Sequence, residues 1–467
     1  MSLRDRLQDP RLRRCGLCRP PVLALVVLLG LLHGAYSLTP DLAPALRQRA
    51  FLAGSVLLAV LLAGYWVFWR QLFAASPRPV EGSGPAEGGA AGWGPDYADA
   101  GLAILMIVSA AYFSLPNRLA LALIAAFVLG HAVLLGLGRL RVSLVASGAV
   151  LLVAFAIVVA RTSIFHLGAD MLPVTAWADR VFLHGLNPYF EDYTSVTPGP
   201  FYYLPLQWLI YLPFVALHLD LRLLNLASLL GVVGLYAWLW RDIPRPWTGF
   251  AVLLAVIASR PATEMVYQGE VWPLWFLVSA FAVALLRGRL VVAAVLLGLL
   301  LACSQTTLVL AALLAVRQLR AGRPWRETAL LGGIVVVVYA AIVFPFARGI
   351  GAFIDQNYIV LPHLAGIMSE RTYHNATTQV SLLNVLTRTG LIGLRGPLQF
   401  AIGVTGIAVL ALRPRTTAAA FLAVCALTYL VAIGLNVQVW KYYYIQGVVL
   451  LFWSVFAPVG APRETIR

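Results

Sequence analysis

Long apolar segments with few charged residues recur along this chain, and they limit its fold more than any other feature of the sequence. A helix needs roughly 20 apolar residues to cross a hydrocarbon layer of about 30 Å. Segments of about that length lie near 21–37, 51–69, 99–116, 118–138 and 142–165, and more follow. Charged residues make up 11% of the 467 residues, against about a quarter in water-soluble domains. The sequence therefore predicts an all-α, polytopic transmembrane helical protein.

Arginines cluster at the ends of these segments and account for the net charge of +15. The clusters lie at 11–14, 139–141, 287–289, 317–326 and 413–415. Arginine beside a span marks the cytoplasmic side of a membrane and favours contact with anionic headgroups. We therefore expect membrane lipids as partners and no nucleic acid.

Crossings counted from a cytoplasmic N-terminus place the loop 162–200 on the outer side. The same rule applied from the C-terminus places further segments there: 259–270, the hairpin tip at 304–307, the long loop 349–396 and the turn at 436–441. Counted from the two termini, the crossings between 201 and 246 give inconsistent sides of the membrane. One apolar stretch there must therefore be re-entrant or half-length. Polar segments next to spans are where membrane enzymes and carriers hold their working groups.

A Gly/Pro-rich segment at 76–96 predicts a flexible linker. It lies within the predicted N-terminal part, 1–138, which we interpret as an extra set of spans ahead of the main region, 139–467. The first apolar run resembles the core of a signal peptide but lacks a clear cleavage site. We therefore predict that it is retained as a span of a multi-pass membrane protein.

The outer loop 162–204 carries four of the 19 acidic residues of the chain and a succession of short motifs. Asp170 is followed by the run Gly-Leu-Asn-Pro-Tyr at 185–189 and by Tyr203-Leu204-Pro205 before the next apolar stretch. This succession resembles the GT-C glycosyltransferases. It is most similar to the polyprenol-phosphate-mannose-dependent mannosyltransferases of glycosyltransferase family 87, over about 142–455. In this chain Gln305 occupies a hairpin tip that usually carries lysine in that family.

The resemblance implies a GT-C-like helical bundle with short amphipathic helices in an outer loop. It implies a membrane glycosyltransferase that moves a sugar such as mannose from a polyprenyl-phosphate-linked donor to a lipid or glycan acceptor. The reaction would take place on the outer face of a bacterial plasma membrane. The lipid-linked sugar is a substrate, so no cofactor is expected. The acidic loop has no Asp-x-Asp or Glu-x-Asp, so no metal is expected either.

Sugar transfer from a lipid phosphate needs a base for the acceptor hydroxyl and donors or cations for the departing phosphate. Asp170 is the predicted base. The predicted substrate- and phosphate-binding residues are Arg260, Arg371, Lys441, His374, Asn375, Gln379, Gln305, Glu270, Asn187, Tyr189 and Tyr203.

Several of these residues have a structural alternative. Asp170 is a good N-cap for a helix starting at Met171, and Asn187 begins a turn by its own chemistry. Glu270, like Glu264, is either a sugar ligand or an interfacial charge. Lys441, beside aromatic residues, is either a phosphate ligand or an anchor at the membrane interface. 

Two further residues of the outer segments have an alternative interpretation as ordinary surface residues. Asp179 is interpreted as a solvated helix residue or a partner of Arg180 in preference to a catalytic acid, and His374 as either a substrate ligand or a surface group.

A secondary transporter or a flippase for lipid-linked glycans is the alternative from another class of proteins. Carriers place ionisable groups near the middle of the bilayer, between internal repeats. This sequence shows no internal repeat, and its polar residues gather in the predicted outer segments. A ligase or polymerase of lipid-linked glycans also has large outer loops, but the early Asp170 and the Asn-Pro-Tyr run fit it less well.

Overall fold

The computed structural model describes residues 17, 19–38, 43–69, 95–114, 117–166, 171–191, 201, 203–322, 324–348, 379–413, 416–436 and 442–458. Of these, residues 38, 68–69, 111–114, 117–123 and 166 are described by their backbone only. This part of the chain folds into nineteen α-helices with short 3₁₀ helices between them, and it contains no strand. The predicted all-α, polytopic helical architecture is therefore confirmed.

The five N-terminal helices fall on the five predicted spans. They are α1 (Pro20–Leu38), α2 (Pro44–Trp69), α3 (Tyr97–Ser114), α4 (Asn117–Gly136) and α5 (Leu140–Arg161). Helix α5 ends four residues before the predicted end of its span. Thr162 adopts an extended backbone and its hydroxyl donates to the carbonyl of Val158 at 2.6 Å. The guanidinium of Arg222 then donates to the carbonyl of Val159, so the carbonyls of Val158 and Val159 are satisfied where the helix stops.

The segment after α5 contains short helices before the next long one. Helix α6 (Met171–Leu183) starts where the sequence predicted a helix start, and it is followed by the five-residue helices α7 (Pro205–Leu209) and α8 (Leu212–Ala216). Helix α9 (Arg222–Leu239) is the one long helix between 201 and 246. The stretch that the sequence left open as re-entrant or half-length is therefore 205–216.

A sharp bend separates α10 (Pro246–Ala258) from α11 (Arg260–Tyr267). The two helices differ in direction by 61°. Pro261 has no N–H to donate to the preceding turn, and Ser259 has an extended backbone between the helices. The segment 259–270, predicted as a polar turn, thus contains a helix of eight residues.

The remaining helices form the centre and part of the rim of the bundle. They are α12 (Trp272–Leu286), α13 (Leu290–Cys303), α14 (Leu308–Arg320), α15 (Trp325–Val343), α16 (Leu382–Arg388), α17 (Arg395–Ala411), α18 (Ala418–Gly434) and α19 (Tyr443–Val455). Helices α12, α18 and α19 are almost wholly buried, whereas α15 and α17 each bury only two residues fully. Helices α18 and α19 approach closely at Gly447, where a Cβ atom would lie 2.5 Å from Leu430.

Six helices in the described part are long and apolar enough to cross a membrane, and a seventh span results if α10 and α11 count as one broken span. Six shorter apolar helices accompany them. The N-terminal helices pack against the rest of the bundle: Thr248 on α10 donates to the carboxylate of Asp99 on α3 at 3.0 Å. The division of the chain at residue 138 stays a prediction.

Contacts between turns define two ends of the bundle. At the arginine end, Arg287 pairs with Asp242, and the Arg141 guanidinium lies 5.7 Å from the ring centre of Trp247. The opposite end, which we call the carboxyl end, holds helices α6–α8, the starts of α9 and α11, the turn 268–271 and the tip 304–307. Three of the segments predicted to lie on the outer side thus contribute described residues to one end, and the arginine-bearing turns at 139–141 and 287–289 lie at the other.

Candidate active site

Helix α6 and the residues after it form an aromatic platform at the carboxyl end. The side chain of Asn187 accepts a hydrogen bond from the N–H of Tyr189 at 3.1 Å, which starts the 3₁₀ helix Pro188–Phe190. The buried Tyr189 hydroxyl donates to the carbonyl of Tyr203 at 2.6 Å and accepts from the Trp208 indole at 3.3 Å. The predicted residues Asn187, Tyr189 and Tyr203 therefore share one structural unit. Their contact with substrate stays a prediction.

Glu270 lies beneath this platform, on the turn between α11 and α12. Its side chain is 3% exposed, and its Oε1 accepts a hydrogen bond from Nε2 of Gln207 at 2.8 Å. An interfacial, solvated charge would be open to water, so the burial contradicts that reading of Glu270. Burying a carboxyl is costly unless it is hydrogen-bonded, and Gln207 supplies one such bond from the short helix α7.

The backbone of this turn is fixed by Asn225 on α9. Its side-chain amide donates to the carbonyl of Gly269 at 2.7 Å and to that of Val266 at 3.0 Å, and its Oδ1 accepts from the Tyr211 hydroxyl at 2.6 Å. A Cβ atom at position 269 would lie 2.3 Å from the sulfur of Met265. A side chain at position 269 would have to displace that of Met265, and the hydrogen bonds of Asn225 hold the path of the chain into Glu270.

Tyr211 marks where several ionisable groups come close to one another. Burial is the main cause that raises the pKa of its hydroxyl. Ionised Glu270 and, more weakly, Cys303 and Asp179 raise it further. These groups therefore lie near Tyr211, between α6, the turn 268–271 and the end of α13.

Asp179 was interpreted from the sequence as a solvated residue or a partner of Arg180, and this was wrong. The Asp179 side chain is 0% exposed, whereas Arg180 points to the surface. Neither carboxyl oxygen of Asp179 has a hydrogen-bond partner among the residues described, and the same holds for the hydroxyl of Thr175 one turn earlier. Burial raises the pKa of Asp179 to about 8. It is therefore largely protonated at neutral pH.

The sequence contained a signal for this burial. Leu172, Thr175, Ala176 and Asp179 follow the spacing of one helix face, and all four are buried. An acid at the last of these positions should have been placed on the buried face of α6. The half-buried Gln207 and the buried Tyr211 and Asn225 were missed as well, because nothing local in an apolar stretch shows which polar residues meet across helices.

Arg260 and Glu264 form an ion pair on α11. The Arg260 Nε lies 2.7 Å from Oε1 of Glu264, four residues later, and the two side chains are 19% and 14% exposed. A phosphate group that binds Arg260 would have to share its guanidinium with Glu264. Five N–H donors in a planar fork make such sharing possible.

Two predicted glutamines also lie within the described residues. Gln305 is half-buried in the 3₁₀ helix at the hairpin tip, where the hydroxyls of Ser304 and Thr306 lie 2.8 Å apart. Gln379 precedes Val380, whose carbonyl accepts from the Tyr444 hydroxyl at 3.0 Å. Both stay candidates for contact with substrate.

The predicted base Asp170 and the predicted ligands Arg371, His374, Asn375 and Lys441 lie outside the described residues. Asp170 comes directly before Met171, the first residue of α6, in the sequence. Within the described part, no three histidine, cysteine, aspartate or glutamate side chains are arranged to hold a metal ion.

Fold and site together define a polytopic helical membrane protein with buried carboxyls, amides and tyrosines gathered at one end. The sequence model of glycosyltransferase family 87 matches residues 198–434, half of the chain. The chain belongs to this family and is therefore a membrane glycosyltransferase. The match begins after Asp170 and the run at 185–189, and it contains Glu270, Gln207 and Asn225. No curated protein and no solved structure matches the chain.

Proposed function

We propose that the chain transfers mannose or a related sugar from a polyprenyl-phosphate-linked donor to a glycolipid or glycan acceptor. The transfer takes place on the outer face of a bacterial plasma membrane. Family membership supports glycosyl transfer. A lipid-linked donor fits a chain built almost wholly of apolar helices, and a nucleotide sugar would not be available on the outer face.

The orientation rests on one observation, which is that α9 is the one long helix between 201 and 246. If α9 and the other long helices, the bent pair, α14 and the six shorter apolar helices each cross once, the chain crosses fourteen times, and the count from either terminus gives the same result. The carboxyl end then faces away from the cytoplasm. The arginine-bearing turns lie at the opposite end, which agrees with the rule that arginine stays on the cytoplasmic side.

In the proposed reaction, Asp170 accepts the proton of the acceptor hydroxyl. The hydroxyl oxygen forms a bond to the anomeric carbon, while the bond between that carbon and the phosphate oxygen breaks. The polyprenyl phosphate leaves with the bonding electrons. Because the hydroxyl attacks from the side opposite the phosphate, the anomeric configuration is inverted. Arg260, Arg371 and Lys441 stabilise the charge of the leaving phosphate.

Glu270 is proposed to accept a hydrogen bond from a hydroxyl of a substrate sugar. Gln207 orients its carboxyl, and Asn225 fixes the turn that carries it. A carboxyl held in this way loses little freedom on binding, which favours specific recognition. Further proposed contacts with the donor or the acceptor are His374, Asn375, Gln379, Gln305, Asn187, Tyr189 and Tyr203.

The test is transfer of labelled sugar from polyprenyl-phosphate donors to extracted membrane glycolipids by the purified protein in liposomes. The wild-type protein is expected to transfer the label, and Asp170→Asn is expected to be slower by about 10²–10⁴-fold. Asp242→Asn, at the arginine end, is the matched control and keeps wild-type activity. Full activity of Asp170→Asn would remove Asp170 as the base. Solute flux without transfer from any lipid-linked donor would assign the chain to the carriers.

A further inference from the structure

The N-terminal helices contact the carboxyl end through the side chain of His33 on α1. Its Nδ1 lies 3.0 Å from the backbone nitrogen of Arg260 on α11, and its Nε2 lies 2.7 Å from Oγ of Ser109 on α3. One half-buried imidazole therefore joins three helices that are far apart in the sequence.

These contacts fix the state of the ring. A backbone N–H can only donate, so Nδ1 of His33 must accept and carries no proton. The ring proton of the neutral imidazole then lies on Nε2, from which it is donated to the Ser109 hydroxyl. The Ser37 hydroxyl also lies 3.4 Å from Nε2, and the N–H of Arg260 holds His33 in this one tautomer.

The N–H of Arg260 is one of the donors at the start of α11 that have no partner within the helix. Ser259 occupies the N-cap position, where serine commonly accepts such a bond. Here the Ser259 hydroxyl donates to the carbonyl of Val256 at 2.7 Å and gives no cap. His33, from another helix, accepts the first N–H of α11 in its place.

Helix α11 is short, bends by 61° from α10, and leads through Gly269 to Glu270. Its direction therefore depends on how its first residue is held. We propose that His33 is a positioning residue that fixes the start of α11, and with it the Arg260 guanidinium, for binding the donor phosphate. The inference rests on the proposed function for the role of Arg260. It gives the extra N-terminal helices a task in catalysis.

Three variants separate this role from general stabilisation. His33→Ala removes the acceptor, while His33→Asn retains a carbonyl oxygen near the position of Nδ1. His131→Ala is the matched control, because His131 is also a buried histidine of the N-terminal helices. Its Nδ1 lies 2.8 Å from the carbonyl of Phe127 and its Nε2 lies 2.9 Å from the Ser147 hydroxyl, within α4 and α5.

The first measurement is amide hydrogen exchange of the segment 259–270 in detergent-solubilised protein. His33→Ala is expected to exchange about fivefold faster than the wild type, the size of effect that loss of a helix cap produces. His33→Asn and His131→Ala are expected to exchange at the wild-type rate. Equal exchange in His33→Ala and the wild type would overturn the inference.

The second measurement is the kinetics of transfer from a polyprenyl-phosphate sugar in liposomes. In His33→Ala the KM for the donor is expected to rise about fivefold with little change in kcat, because ground-state binding of the phosphate is weakened. His33→Asn restores the KM, and His131→Ala leaves it unchanged. An unchanged KM in His33→Ala would contradict the positioning role. A wild-type protein that transfers no sugar would overturn the proposed function, while hydrogen exchange would still decide whether His33 holds α11.

Discussion

The two ends of the bundle place their acids in different surroundings. At the arginine end, Asp242 pairs with Arg287 while 41% of its side chain is exposed, and such pairs contribute little to stability. At the carboxyl end, Glu270 and Asp179 are 3% and 0% exposed. Buried carboxyls destabilise a fold unless they are well paired.

Asp99, beside the start of α10 at the arginine end, is 1% exposed as well, but its carboxylate accepts a hydrogen bond from Thr248. The carboxyl end differs in that two buried acids lie there together with Gln207, Tyr211 and Asn225, which supports the assignment of the active site to that end.

The two buried acids also differ from each other. Glu270 receives a hydrogen bond from Gln207, on a turn fixed by Asn225. Asp179 has no such donor among the described residues, and burial raises its pKa to about 8. Glu270 is therefore held in one orientation, whereas Asp179 is stabilised by keeping its proton. We expect the loss of Glu270 to reduce catalysis and the loss of Asp179 to change the pH dependence of stability.

Glu270→Gln is expected to give the largest difference between the two ends. The substitution retains the volume and removes the charge, and loss of a buried charged hydrogen bond lowers activity by roughly 10²-fold. Asp242→Asn, which removes the corresponding charge at the arginine end, should stay within about twofold of the wild type. Initial rates of sugar transfer in liposomes measure both.

Gln207→Leu extends this comparison, because it removes the donor and leaves Glu270 in place. Its loss of activity should lie between those of Glu270→Gln and Asp242→Asn. Similar rates for Glu270→Gln and Asp242→Asn would show that the two ends do not differ in function, and the role proposed for Glu270 would be lost.

Asp179→Asn is expected to have a smaller effect, on stability and not on rate. Between pH about 4 and pH about 8 the folded protein holds a proton on Asp179 that the unfolded chain releases. The free energy of unfolding of the wild type therefore falls as the pH rises through this range. In Asp179→Asn this contribution is absent, so its apparent Tm at pH 9 should exceed that of the wild type by roughly 2–4 °C.

Thermal unfolding in detergent at several pH values between 4 and 9 measures this difference. Asp242→Asn is again the control, because its carboxyl is open to solvent, and it should follow the wild-type pH dependence. If Asp179→Asn showed the same fall in Tm with pH as the wild type, the buried, protonated state of Asp179 would be refuted.

Much of the fold could be predicted from the sequence, because the length of an apolar segment and the arginines at its ends are visible in consecutive residues. The helices α1 to α5 fall on predicted spans, and the start of α6 at Met171 was also predicted. The bend at Ser259 was not predicted as such, although Pro261 marks it, since proline in an apolar segment starts a helix as readily as it ends one.

The site was less predictable, because its contacts join residues that are distant in sequence. Glu270 was a candidate, but its donor Gln207 and the amide of Asn225 come from other helices. Asp179 was misplaced because its neighbour Arg180 offered a local partner, whereas packing of α6 decided its burial. His33 carried no local signal at all, since its partner Arg260 lies 227 positions away.

The orientation of the carboxyl end is the claim on which the proposed reaction depends, and labelling from one side of the membrane tests it most directly. Single cysteines replace two exposed residues, Glu191 at the carboxyl end and Arg289 at the arginine end, in a chain whose four native cysteines are changed to alanine. A membrane-impermeant maleimide added to intact cells is predicted to label position 191 and to leave position 289 unlabelled. Labelling of position 289 with no labelling of position 191 would place the carboxyl end in the cytoplasm and contradict the account.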